Sequence, residues 1–158
     1  MKRLLMILGA MALLAGCEST DSPVERIRQQ VTGDYPTQVH TFAADEKTTF
    51  AAAKQALKAM DFHFTHGGPA QGIMHASSEI GPGDKFGTLH QFTLKADFQN
   101  NLDGKSTDVT VSMSETIADD VNGKLGAGSE APLRDTALYA VFFRNIELAL
   151  GPGVTKAP

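Results

Sequence analysis

The chain has 158 residues, with 14 Lys+Arg, 18 Asp+Glu and one cysteine. Residues 1–16 read as a secretory signal: Lys2 and Arg3, an apolar run from Leu4 to Ala15, then Gly16. The run is too short for a spanning helix, which needs about 20 apolar residues. Without Lys2 and Arg3 the formal charge moves from -4 to -6, which speaks against nucleic acid as a partner. A single cysteine excludes an intramolecular disulfide framework and a multi-cysteine metal site. The remaining length suits one domain of roughly 100–120 residues plus a tail.

Residues 14–17 are Leu-Ala-Gly-Cys. At every position this resembles the lipobox of bacterial lipoproteins. The resemblance implies cleavage between Gly16 and Cys17. It also implies a diacylglyceryl thioether on the Cys17 sulfur and acylation, as by palmitate, of the new amino group. The physics agrees, because each buried lipid methylene contributes about 0.8 kcal/mol and two or more chains anchor stably where one does not. Residue 18 is Glu. In enteric lipoproteins Asp at that position marks the inner membrane, so Glu18 implies the outer membrane, facing the periplasm. Membrane contact through the anchor is thus the first partner expected.

Residues 17–37 form the lipidated N-terminus and a polar tether. Ser22-Pro23-Val24-Glu25 has capping-box spacing, and Val24, Ile27 and Val31 follow at helical intervals. A short helix over 23–31 is expected there. The domain is expected over 38–151. Val39 to Phe42 reads as a strand. Asp45 caps a helix to about Met60, with Phe50, Ala53, Leu57 and Met60 on one stripe. Phe62 to His66 alternates as a strand, and Gly72 to Ser78 follows as its hairpin partner across the loop at 67–71. Residues 79–87 read as a loop. Thr88 to Phe98 is the clearest strand, with Phe92, Leu94, Ala96 and Phe98 on one face. Asp103-Gly104 favours a tight reversal. Thr107 to Ile117 alternates again through Val109, Val111 and Met113. Residues 119–131, with three glycines, read as a mobile loop. Pro132 opens a long helix that closes at Gly151, and 152–158 form a loose tail.

The expected order is β-α-β-β-β-β-α: an α+β, two-layer sandwich, its antiparallel sheet covered on one face by two helices. The spacings Phe50-x-x-x-x-x-x-Leu57, Phe62-x-Phe64 and Gly72-Ile73 resemble helix-grip domains of bacterial envelope lipoproteins, such as those among the lipoprotein components of the β-barrel assembly machinery. That resemblance implies a binding or scaffolding module, with no catalytic residues to carry over.

Candidate chemistry is sparse. If Phe62 and Phe64 face the core, His66 points inward and His63 lies opposite His75 on the open face. Two histidines there lack the third or fourth ligand of a zinc site, so no metal and no cofactor are expected. There is no Gly-x-Ser-x-Gly and no second cysteine, so nucleophilic catalysis is not expected. Asn122-Gly123-Lys124 and Gly126-Ala127-Gly128-Ser129 fail the spacings of phosphate loops. The C-terminal helix carries an apolar arc of about 220°, where a helix on one sheet needs only about 100° or somewhat more. Leu138, Phe142 and Ile146 form its centre. Tyr139 and Phe143 lie at one edge and are the candidate partner surface. The functional expectation is a non-catalytic binding or scaffolding module for a cell-envelope protein. The alternative is a carrier of an apolar ligand, such as a lipid, between sheet and helix.

Overall fold

Alternating apolar residues make the strands, and a capped alanine-rich segment makes the first helix. In the computed structural model, residues 36–102 and 104–151 are described. The expected signal, Cys17, the tether as far as residue 35, the short helix at 23–31 and the tail lie outside them; Thr37, expected as the last tether residue, already pairs in the sheet with Ser112. The elements run β1 (Thr37–Phe42), α1 (Glu46–Ala59), β2 (Phe62–Gly68), β3 (Ile73–Ser78), β4 (Gly81–Pro82), β5 (Thr88–Asn100), β6 (Thr107–Val121), β7 (Lys124–Pro132) and α2 (Ala137–Leu150). Over the described residues the architecture is an antiparallel sheet of seven strands with two helices.

The strand path is β1-β6-β5-β3-β2, with β4 against β5 and β7 against β6. β1 and β7 share one edge of β6. β1 covers Thr107 to Ser112, and β7 covers Ser114 to Val121. Met113 sits at the junction. Its N–H donates to the Tyr139 hydroxyl at 2.9 Å, and its carbonyl accepts from Leu133 N at 2.9 Å. The β5–β6 hairpin is the longest feature, spanning about 40 Å or more at 3.3 Å per residue. A 14-residue helix covers only about 21 Å.

The core follows the expected alternation. Leu94, Ala96 and Phe98 of β5 meet Val109, Val111 and Met113 of β6 on one face. Ala53 and Leu57 of α1 and Phe142 and Ile146 of α2 join the same buried cluster. Asp45 caps α1 as expected: Oδ1 accepts from Thr48 N at 3.0 Å and Oδ2 from Thr48 Oγ1 at 2.7 Å. Those two hydrogen bonds favour the carboxylate and lower the Asp45 pKa. A lowered carboxylate stabilises the fold above its unfolded pKa, and that contribution fades as pH falls through the folded value. Asp45→Ala should therefore speed amide exchange in the first turn of α1 at neutral pH and have little effect in strong acid. Hydrogen exchange at Thr48 reads this directly.

Four expectations need correction. Residues 119–131 are not a mobile loop. Asn122 and Gly123, at φ 56° and 78°, turn the chain back into β7, as the paired positive-φ residues of a two-residue hairpin do. β4 adds a short strand within the 79–87 loop. The β2–β3 connection holds four residues, 69–72, because Gly68 itself pairs with Ile73. Pro132 ends β7, and α2 begins five residues later, after Thr136.

Candidate functional site

Where the β5–β6 hairpin outruns the helices, a cleft of about 560 Å³ opens. Its apolar lining comes from Met60 after α1, Phe62 of β2, Phe92 of β5 and Leu138 of α2. Polar groups rim it, among them Lys58, Asp61 and His90. The size falls within the range of small-ligand pockets, about 300–1,000 Å³. The elements explain the location. Leu94 and Met113 are buried in the core cluster together with residues of α1 and α2. The next inward residue of β5, Phe92, lines the cleft and pairs with Glu115 of β6.

His90 Nδ1 lies 3.2 Å from Glu115 Oε1, and both side chains are about a quarter to a third exposed. A side chain at Gly81 would put its Cβ 2.7 Å from His90 Nε2, so the glycine makes room for the ring. Ser78 also lines the cleft, but its hydroxyl is engaged. It accepts from Phe92 N at 3.0 Å and donates to the Glu79 carbonyl at 2.8 Å. The cleft thus offers an apolar floor with polar groups at its margin, an arrangement that grips part of a ligand or a partner's side chain. Sequence reasoning missed it. His90 and Phe92 alternate regularly within β5, and nothing in that pattern marks where the neighbouring elements end and leave them lining a cleft.

The candidate partner surface on α2 is overturned. Tyr139 is 1% exposed and Phe143 is 7% exposed. Phe143 stacks on His40 at 5.3 Å between centroids and meets Phe42 at 6.3 Å. The edge is therefore covered by β1. The Tyr139 hydroxyl reaches the Pro36 and Leu133 carbonyls at 3.1 and 3.0 Å besides Met113 N. The exposed large apolar residues of α2 are instead Val141 and Leu148, one heptad apart. His40 Nε2 lies 3.3 Å from Glu147 Oε1, yet the two lack hydrogen-bond alignment. The contact is a close approach rather than a directed hydrogen bond.

The histidine pairing also differs. Phe64 pairs with Ala76, and His66 pairs with His75, so Thr65 is an extra residue in β2. This bulge moves His66 to the open face and sets His63 opposite Ser77. His63 Nε2 then lies 3.5 Å from Glu79 Oε1. Phe64, expected in the core, is 38% exposed and packs edge-on against Phe50. Among the described residues no group of three or more His, Cys, Asp or Glu is placed to hold a metal ion. No family model and no curated protein matches the chain.

Proposed function

We propose that this chain is a lipid-anchored bacterial envelope lipoprotein, facing the periplasm from the outer membrane. Its α+β domain, with the two helices layered on one face of the sheet, serves as a non-catalytic binding or scaffolding module for an envelope protein. The carrying observation is Leu14-Ala15-Gly16-Cys17 directly after a charged start and an apolar run, with Cys17 the only cysteine. Two further points support the reading. No described helix is long and apolar enough to cross a membrane, and a lipid on Cys17 would supply the attachment. The domain also offers contact surface, at the cleft and at Val141 and Leu148.

A carrier of an apolar ligand would need room between sheet and helix. Beyond the cleft, Leu94, Met113, Phe142 and Ile146 are only 0–1% exposed, which favours the binding module. The test is metabolic labelling with a fatty acid. The native chain should take up label and fractionate with the outer membrane. Cys17→Ser should take up none and remain unprocessed or soluble. Label in the Ser variant would overturn the anchor.

A further inference from the structure

We propose that His66 and His75 form an open two-histidine site for a divalent transition-metal ion on the uncovered face of the sheet. The two residues are cross-strand partners. Their rings stand edge to face, 5.7 Å apart between centroids. An ion with bonds of about 2.1 Å to one nitrogen of each ring would hold the centroids about 5–6 Å apart. The pair therefore needs only small side-chain rotations to bind.

The local backbone is built for this pairing. In a regular strand His66 would share a face with Phe62 and Phe64. The bulge turns it over to meet His75. Gly67 follows at φ 113°, and a Cβ there would lie 2.1 Å from the Ile73 carbonyl oxygen. Only glycine lets β2 close onto β3 immediately after His66. His75 is half-buried, while Met74 and Ala76 beside it enter the core. That alternation fixes the ring on the open face.

The surroundings favour a neutral donor. Burial lowers the His75 pKa, with Lys95 and His66 adding to the effect and Asp97 opposing it. A metal ligand must be the unprotonated imidazole. Imidazole nitrogens suit Zn, Cu and Ni, rather than Mg or Ca. Two protein ligands leave the other coordination positions to water or to a donor from a bound molecule, so the site stays open.

Nickel(II) is the probe. The untagged full chain in detergent is titrated calorimetrically, with Cys17→Ser in every sample so that no thiol competes. Saturable binding is expected. His66→Gln and His75→Gln should each weaken it at least about tenfold, since even supporting groups of a metal site contribute about that much. His63→Gln should leave it unchanged. Binding should also fade as pH drops from about 7 to about 5, where protons compete for imidazole. All three residues are at least partly exposed, and a thermal melt of each variant checks that the fold is intact. Absent binding, native affinity in the His66 or the His75 variant, or an equal loss in the His63 variant would each overturn the site.

Discussion

Phe142→Ala should destabilise the domain by about 3–5 kcal/mol, the range for truncating a buried aromatic ring. Phe142 is fully buried, midway along α2. It belongs to the cluster that joins α2 to α1 and to the inner faces of β5 and β6. Removing its ring leaves a cavity whose walls come from several elements, so collapse can recover only part of the loss. The total stability of such a domain is about 5–15 kcal/mol, and the variant would lose a large share of it. Denaturant unfolding should show a lower midpoint with an unchanged slope. A loss below about 1 kcal/mol would mean that α2 is not seated as described.

Replacing Tyr139 and Phe143 together with polar residues should destabilise the domain at least as severely. The double variant removes the ring that stacks on His40 and the hydroxyl that completes the sheet at Met113. Tyr139→Phe separates the two effects. It keeps the ring but leaves the buried Met113 N–H without a partner, at a cost of about 1–3 kcal/mol. Thermal melts of both variants provide the measurement. A double variant that melted like the native chain would return this edge to the surface and restore it as a candidate interface.

The sequence carried the core of the fold in plain form, because the relevant forces are local and periodic. Leu94, Ala96 and Phe98 alternate as a half-buried strand must, and Asp45 is spaced to accept from Thr48. β7 was harder to read. Leu125 to Ala131 is mostly small residues, with no alternation and little strand propensity. It is a strand because β6 offers an unpaired edge there. Asn122-Gly123 was the available signal, since that dipeptide favours the turn on which the hairpin closes. The bulge at Thr65 left no comparable trace. It depends on how closely Gly67 approaches Ile73, a contact between strands. The tighter hairpin, with Gly68 already opposite Ile73, brings His66 rather than His63 opposite His75. The cleft was equally hidden, because it arises from relative element lengths. The wide arc of α2 was legible as an excess, but its cover was not. Part of it is roofed by His40 and Phe42, which lie about a hundred positions earlier in the chain.

The shared edge of β6 sets a timetable for folding. β5, β6 and β7 follow one another through short turns, so their pairing closes small loops. β1 is synthesised first, yet Thr37 pairs with Ser112, 75 positions later. Its docking must wait until β6 exists and the helix between has been placed, because distant pairings are slow to form. Until then the stretch of β6 from Thr107 to Ser112 presents bare backbone donors and acceptors, and Phe143 lacks its roof. During that interval another chain's strand could occupy the edge in place of β1, exchanging the first strand between two copies.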